Sequence, residues 1–143
     1  MYVSDLLAAR GKRDVFYAEP TATVYKAIEQ MAQMEVGCLL VIEHNELVGL
    51  ISERDYTRKV ILKGRKSKRS LVSEIMSTEV IFVSMNHSIE QCMALMHEHS
   101  IGHLPVVVAG RAVGMLSLKD VLREIMREKT EEVVLLEQYI QGY

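Results

Sequence analysis

The sequence predicts an α/β (α+β) fold in which two tandem β-α-β-β-α repeats pack about a pseudo-twofold axis. One stretch, Gly49–Asp55, occurs again with the same spacing as Gly114–Asp120. A shift of 65 residues then lays residues 80–125 on residues 15–60 without a gap. In each copy an amphipathic helical pattern precedes two short apolar runs, which is typical of a helix and two strands. Because a repeat this small cannot cover both faces of its own sheet, we expect the two copies to pack together.

Length and composition limit the protein to one ordinary domain or two half-size units. Of the 143 residues 49% are hydrophobic, and the net charge of −2 gives no overall attraction to nucleic acid or to an anionic membrane. Cys38 and Cys92 lie in apolar segments, which favours buried thiols in a reducing compartment. The N-terminus lacks the order of a signal peptide, and no apolar run nears the roughly 18 residues of a membrane span. We therefore expect a cytoplasmic protein.

The first elements are a short helix, a strand and an amphipathic helix. The short helix is predicted over residues 3–11, with Ser4 as its N-cap and Gly11 at its end. The strand is predicted over residues 14–18, and the amphipathic helix that follows is expected to end at Gly37. The apolar positions of this helix have the spacing of one buried stripe and are Val24, Ala27, Ile28 and Met31.

A hairpin and a second helix complete the first repeat. Residues 38–43 and 47–51 are apolar runs separated by three residues, which predicts two strands joined by a tight turn. The second helix is predicted to begin at Ser52 and to run to about Leu62, where Gly64 stops it. Shifted by 65 residues, the same elements are predicted for the second repeat.

The helix that ends the second repeat is predicted to be longer than its counterpart, running from about Val121 to Tyr139. Its apolar stripe, interrupted near Lys129, has no partner within the repeat, so we expect it to pack on another subunit of a homodimer or across the base of the module. The stripe consists of Leu122, Ile125, Met126, Val133, Leu136 and Ile140. The predicted division of the single module 1–143 is a first motif at 12–63, a basic linker and short helix at 64–76, a second motif at 77–127 and a C-terminal helical extension at 128–143.

The motifs Ser52-x-x-Asp55 and Ser117-x-x-Asp120 are typical of a helix start. A serine N-cap accepts a hydrogen bond from a free backbone N–H, and a carboxylate three residues later complements the cap and the helix dipole. The same geometry suits a ligand, because free N–H groups attract phosphate and a carboxylate can accept both vicinal hydroxyls of a ribose. The glycine three residues before each serine would leave room for a flat ligand. Capping and ribose binding are compatible, so both interpretations stay open.

The two repeated stretches, together with Ile101–Val106, resemble the hallmarks of the cystathionine β-synthase (CBS) domain pair, also called a Bateman module. The resemblance covers the chain from Val3 to about Met126. The chain is similar to stand-alone, single-module members that carry a Ser-Glu-Arg-Asp-Tyr string and a basic linker. The first repeat departs from the pattern in having Leu40 where the second repeat has Pro105.

The resemblance implies a regulatory protein that binds an adenosine-containing nucleotide in clefts between the repeats and transmits its occupancy to a protein partner or a dimer interface. AMP is the foremost ligand, and NAD(H), ADP and ATP are the alternatives. One cleft is expected to combine Ser52 and Asp55 with Val80, Ile81, Ile101, Gly102, His103 and Pro105. The other is expected to combine Ser117 and Asp120 with Val15, Phe16, Val36, Gly37 and Cys38. The first cleft is favoured, because it has more cations for phosphates than Lys119 offers in the second, namely Arg54, Arg65, Lys66 and Lys68.

Interpretations without a nucleotide stay open as well. In a dimeric interaction protein the Ser-x-x-Asp motifs would only cap helices, and the basic linker would be a solvated loop. An enzyme at the same cleft is a weaker alternative, since the chain has no P-loop, no G-x-G-x-x-G and no nucleophile constellation, so we expect no catalytic residues. His97, His99 and His103 are not spaced as zinc ligands, so no metal is expected.

Overall fold

The computed structural model describes residues 1–11 and 15–141 of the chain. The helices are α1 (Val3–Arg10), α2 (Val24–Met34), α3 (Glu53–Tyr56), α4 (Val72–Ile75), α5 (Ile89–His99) and α6 (Leu118–Gln141). The strands are β1 (Tyr17–Ala18), β2 (Cys38–Glu43), β3 (Glu46–Ser52), β4 (His103–Val108) and β5 (Arg111–Ser117). The start of the predicted first strand, Asp14, the predicted motif boundary at 12, and residues 142–143 of the predicted C-terminal extension lie outside the described residues.

The chain folds into two compact units, which we name after the repeats. The first-repeat unit consists of Asp14–Val80 and Ala109–Ala112. The second-repeat unit consists of Met1–Arg13, Ile81–Val108 and Val113–Tyr143. The N-terminal helix α1 therefore belongs with the second repeat, whereas α4, which precedes the second repeat along the chain, belongs with the first.

The first-repeat unit contains a three-stranded sheet in the order β1-β2-β3. The short strand β1 runs parallel to β2, with Ala18 opposite Val41, and β2 pairs antiparallel with β3. The turn between β2 and β3 places His44 and Asn45 at φ 51° and 64°, which is the two-residue hairpin turn with a positive φ at both positions. The predicted hairpin is confirmed. The core beneath the sheet consists of Ala18, Val24, Ala27, Met31, Leu39, Val41, Ile51, Val60, Val72 and Ile75, and Ile28 packs against it.

The second-repeat unit has a shorter sheet, in which β4 pairs with β5. The counterpart of β1 is reduced to a bridge between Val83 and Val106, in which the Val83 N–H donates to the Pro105 carbonyl at 2.9 Å. Pro105 has no N–H to donate, so the parallel ladder cannot continue toward Ile81. The core consists of Val3, Leu6, Val83, Ile89, Cys92, Met96, Leu104, Val106, Leu116 and Val121.

Two predicted helix boundaries are wrong. In both cases a residue other than the predicted one caps the helix. Gly37 does not end α2, because Glu35 takes the left-handed conformation at φ 56° and its N–H donates to carbonyls of the last turn. Ser4 is not the N-cap of α1. That position is held by Tyr2, whose backbone N–H donates to the Asp5 carboxylate at 2.9 Å. Gly11, at φ 81°, ends the helix as predicted.

The helix predicted from Ser52 to about Leu62 is present but changes type along its length. The α-helical turn α3 continues as a π-helical segment, Thr57–Ile61, in which the Leu62 N–H donates to the Thr57 carbonyl at 3.1 Å. Such segments often occur at functional sites. In the second repeat the corresponding helix continues as α6 for 24 residues, which confirms the predicted long helix. The expectation that its apolar stripe has no partner within the repeat is wrong for Ile125, which packs against the core of the second-repeat unit.

Replacing Gly49 by Ala is expected to destabilise the fold. A Cβ at this position would lie 2.8 Å from the Met76 Sδ and 2.9 Å from the Ser77 carbonyl oxygen, and the latter belongs to the backbone. Relieving such overpacking costs about 1–3 kcal/mol of unfolding free energy. Gly102→Ala is the matched control, because a Cβ there meets nothing within 4 Å, and it should change stability by less than about 1 kcal/mol. Urea denaturation of both variants measures the difference, and equal stabilities would contradict the close packing at Gly49.

Candidate functional site

Both Ser-x-x-Asp motifs form reciprocal caps where a strand turns into a helix. In the first repeat the Ser52 N–H donates to the Asp55 Oδ2 at 2.9 Å, and the Asp55 N–H donates to the Ser52 Oγ at 3.1 Å. In the second repeat the matching bonds between Ser117 and Asp120 are 3.2 and 3.1 Å. The predicted capping role is confirmed at both sites. Each cap fixes a partly buried carboxylate at the strand-to-helix junction.

In the first-repeat unit this junction lies beside the start of β2. Cys38 is paired with Ser52 in the sheet register, and the Glu53 N–H donates to the Gly37 carbonyl at 3.0 Å. Burial raises the pKa of the Cys38 thiol to about 11, and the negative charges of Asp55 and Glu53 add to the effect. The thiol is therefore protonated near neutral pH and is a poor nucleophile.

In the second-repeat unit His103 takes the place of Cys38. The Leu118 N–H donates to the Gly102 carbonyl at 2.8 Å, as Glu53 does to Gly37 in the other unit. Burial lowers the pKa of His103, and the nearby Asp120 carboxylate opposes that effect. An open groove of about 820 Å³ runs past this point, and its lining includes Gly102, His103, Ser117, Lys119, Leu122 and Met126. The groove thus brings together residues that the sequence assigned to two different clefts.

The two carboxylates differ in the cation that each one holds. Asp120 forms an ion pair with Arg10 at 3.0 Å, and the two side chains are only 11% and 10% exposed. The same guanidinium donates to the Met115 carbonyl at 2.8 Å. Asp55 forms an ion pair with Lys59 at 3.1 Å, but the Lys59 side chain is 45% exposed. The Lys59 ammonium also donates to the Ile75 carbonyl at 2.9 Å. The second carboxylate is therefore held by a buried cation and the first by a half-exposed one, and each cation also donates to a backbone carbonyl.

Sequence reasoning missed both cations, for different reasons. Lys59 follows Asp55 by four residues on one helix, which is a spacing that predicts an ion pair. Arg10 is 110 residues from Asp120 and reaches it only because α1 packs with the second repeat. The position that matches Lys59 in the second repeat is Glu124, which is acidic and cannot pair with Asp120. The repeat therefore gives no indication of which cation Asp120 binds.

The remaining predicted site residues are divided between the two units and range from exposed to buried. Arg54, Lys119, Arg65 and Lys66 are exposed, and Lys68 is exposed with its Nζ 4.9 Å from the centre of the Tyr25 ring. Pro105 is buried, Phe16 is exposed, and the partly buried residues are Val15, Val36, Val80, Ile81 and Ile101. The predicted pairing of adenine-binding residues from one repeat with a ribose-binding carboxylate from the other stays a prediction.

The space beside the repeated glycines is not available to a ligand, so that interpretation is wrong. The Cβ position of Gly49 faces Met76 and Ser77, and that of Gly114 lies 3.3 Å from the Leu7 side chain. Each glycine therefore allows a short helix or the residues that follow it to approach the sheet closely. The missing side chain serves the packing of α1 and α4.

Within residues 1–11 and 15–141, no cluster of three or more His, Cys, Asp or Glu side chains has an arrangement that could hold a metal ion. Over the same part, no helix combines the length and the apolar character needed to cross a membrane.

Comparison with known proteins identifies the family. The family model described as CBS domain matches residues 3–61 and 72–127, so one match covers each repeat together with its preceding short helix. The chain belongs to the CBS domain family. As a CBS-domain pair it is a regulatory type of module.

Relatives of this CBS-domain pair agree with that assignment along nearly the whole chain. The mitochondrial CBS domain-containing protein CBSX3 of Arabidopsis thaliana is 38% identical, over 98% of this chain and 72% of that protein. A solved structure of a CBS-domain protein from Burkholderia ambifaria superimposes with a TM-score of 0.83 at 37% identity, and the match covers 89% of this chain and 95% of that one. A CBS domain pair solved with 5'-methylthioadenosine and S-adenosyl-L-methionine has a TM-score of 0.76 at 22% identity, covering 90% of this chain and 98% of that one.

Arg10→Met is expected to lower the free energy of unfolding more than Lys59→Met. Removing one partner of a buried ion pair costs about 3–5 kcal/mol, and the lower end applies here because Asp120 keeps its other contacts. Removing the half-exposed Lys59 costs about 1–2 kcal/mol, because it loses a pair with Asp55 that water screens and a hydrogen bond to the Ile75 carbonyl. Chemical denaturation of both variants at neutral pH measures the two losses. Equal losses would show that Arg10 does not have the buried role seen here.

His103 is expected to make the fold less stable in mild acid. Its pKa in the folded state lies below the ordinary value of 6.5, so the unfolded chain binds a proton that the folded chain does not. This contribution is fully present above pH 6.5 and is lost as the pH falls through the folded pKa. His103→Gln should therefore lose less stability than the wild type between pH 8 and pH 5, as followed by urea denaturation. Equal losses in His103→Gln and the wild type would contradict this role of His103.

Proposed function

We propose that this CBS-domain pair is a stand-alone sensor of adenosine-containing nucleotides, with AMP as its foremost ligand and NAD(H), ADP and ATP as alternatives. Asp55 and Asp120 are the ribose-binding carboxylates, and occupancy is transmitted to a protein partner or to a dimer interface. The observation that carries this proposal is the repeated cap, which holds a partly buried carboxylate at the same junction in each repeat.

The cap leaves the Asp55 carboxylate able to accept further hydrogen bonds. Its Oδ2 accepts from the N–H and the hydroxyl of Ser52, while its Oδ1 faces the Lys59 ammonium at 3.1 Å. A carboxylate offers about four lone-pair positions, so two ribose hydroxyls can bind without breaking the cap. Lys59 is 45% exposed, so water can solvate its ammonium when it leaves Asp55, while its hydrogen bond to the Ile75 carbonyl can stay in place.

The two sites are proposed to differ in affinity, with Asp55 the stronger ribose acceptor. A ligand at Asp120 would have to compete with Arg10, a buried cation that also donates to the Met115 carbonyl. Displacing one partner of a buried, hydrogen-bonded pair is costly. This difference supports the preference for the first site that the basic residues Arg54, Arg65 and Lys68 already suggested.

The chemistry of the surroundings favours a nucleotide that carries phosphate. The related CBS domain pair was solved with two adenosine compounds that have no phosphate, and at 22% identity the two proteins share the fold alone. Around Asp55, in contrast, the exposed cations Arg54 and Lys59 offer charge to a phosphate. The adenine contacts expected from the resemblance, including Ile101, Gly102 and His103, belong to the same proposal.

We also propose that the protein catalyses no reaction, and that it acts in the cytoplasm. The Cys38 thiol has its pKa raised to about 11, which removes the best candidate nucleophile near the first site. Cys38 and Cys92 are free thiols, which suits a reducing compartment. The Arabidopsis relative is named as mitochondrial, so cell fractionation with an antibody against this chain is the test of its location.

Asp55→Asn is expected to weaken AMP binding by about 10–100-fold, because charge-assisted hydrogen bonds to the ribose are worth about 1.5–3 kcal/mol. Asp120→Asn should weaken the tighter of the two AMP sites less, because that site is proposed to be the one at Asp55. Asp5→Asn is the matched control, since Asp5 accepts the same kind of capping bond at the start of α1, at an exposed position. Isothermal titration calorimetry with AMP measures all three variants.

Two results would contradict the proposal in different ways. If the wild type gives no heat and no rise in melting temperature with AMP, ADP, ATP or NAD(H), nucleotide sensing is wrong and the interaction-only hypothesis is favoured. If the wild type binds but Asp55→Asn binds equally well, the nucleotide is bound elsewhere and the site assignment is wrong.

A further inference from the structure

Helix α6 exposes a row of large apolar side chains with the spacing of a coiled-coil seam. The exposed fractions of Leu122, Met126, Val133, Leu136 and Ile140 are 43%, 66%, 52%, 62% and 69%. Their spacing alternates between the a and d positions of a heptad, and the one gap in the pattern is filled by Lys129. We call these six positions the α6 seam.

The α6 seam is a row of apolar side chains that the rest of the chain leaves exposed. Of the 24 residues of α6, only Val121 is buried in the chain. An exposed apolar row of this length, flanked by charges, marks a surface that packs against another chain. Its heptad spacing fits a second helix with the same spacing, and such a helix is available in a second copy of this chain.

We propose that two copies of the chain pair through their α6 seams, with the two helices antiparallel. The inference identifies the dimer interface to which the proposed function refers, and it does not depend on nucleotide binding. In this arrangement Leu122 of one copy lies opposite Ile140 of the second copy, Met126 lies opposite Leu136, and Lys129 lies opposite Val133.

Lys129 decides the direction of the two helices. A parallel pair in register would place the Lys129 of each copy against the Lys129 of the other, inside the seam. The antiparallel pair places the Lys129 stem on Val133 instead, while its ammonium reaches the Glu132 carboxylate, to which it already lies 3.5 Å away. Burying the stem and keeping the charge paired at the edge avoids the repulsion.

The charges that flank the seam favour the same direction. Residues 118–129 carry four basic and three acidic side chains, whereas residues 130–141 carry three glutamates and no basic residue. An antiparallel pair therefore lays the acidic half of each helix on the more basic half of the other. At both ends the e position of one helix meets the e position of the other, which brings Arg123 of one copy to Glu137 of the second.

The pairing also reaches the candidate site in the second-repeat unit. Leu122 and Met126 line the open groove together with Ser117 and Lys119. In the antiparallel pair Leu136 and Ile140 of the second copy pack on these two side chains. The end of one α6 helix then lies beside the groove of the other copy.

Charge reversal in the absence of nucleotide tests the direction of the pair. We expect Arg123→Glu and Glu137→Arg each to weaken dimerisation on the order of tenfold, since each replaces two ion pairs by two like-charge contacts. The double variant should recover the wild-type dissociation constant. Sedimentation equilibrium measures the constants. If the single variants weaken the dimer and the double variant does not recover, the helices do not pair antiparallel.

Two neighbouring leucines test which face of α6 is used. Leu136→Glu, in the seam, should give a monomer, whereas Leu135→Glu, equally exposed but outside the seam, should leave the dimer intact. Circular dichroism confirms that both variants remain folded. A monomeric wild type at about 100 μM, or a dimer that survives Leu136→Glu, would overturn the proposal and leave the seam to a different protein partner.

Discussion

The carboxylate that closes each Ser-x-x-Asp cap is the group on which the rest of the site depends. It accepts the backbone N–H of its serine, joins a strand of the sheet to the following helix, and holds a cation next to the start of a neighbouring strand. One partly buried group thus joins two elements of the fold and, at Asp55, also faces a half-exposed cation. A ligand that binds it meets a position fixed by the fold rather than by a mobile loop.

The Asp55 and Asp120 carboxylates have different surroundings, because each short helix packs with the repeat that it does not precede in the chain. Because α1 packs with the second repeat, Arg10 comes to Asp120 as a buried partner, whereas Asp55 receives the exposed Lys59 of its own helix. The same arrangement accounts for the repeated glycines. Gly49 lets the residues after α4 approach the sheet closely, and Gly114 does the same for α1. Sequence repetition therefore produces two sites with the same cap and different cations.

Local patterns predicted the fold well because its elements depend on local rules. Ala18 pairs in parallel with Val41, and the residues 65 positions later, Val83 and Val106, pair in the same way. The Ser-x-x-Asp spacing correctly predicted both caps. Contacts made over long distances in the chain could not be predicted. Arg10 reaches Asp120 across 110 residues, and the Gly49 contact depends on where Met76 is carried by α4. Gly37 failed as a helix end because Glu35 adopts a left-handed conformation that its residue type does not favour.

A crystal structure of the protein grown with saturating AMP would show directly whether Asp55 binds the ribose. We expect both ribose hydroxyl oxygens to lie within about 2.5–3.0 Å of the Asp55 carboxylate, with the Ser52 cap intact and the Lys59 ammonium displaced from the carboxylate. AMP bound with its ribose away from Asp55 and Asp120, while the Lys59 ion pair stays in place, would contradict it.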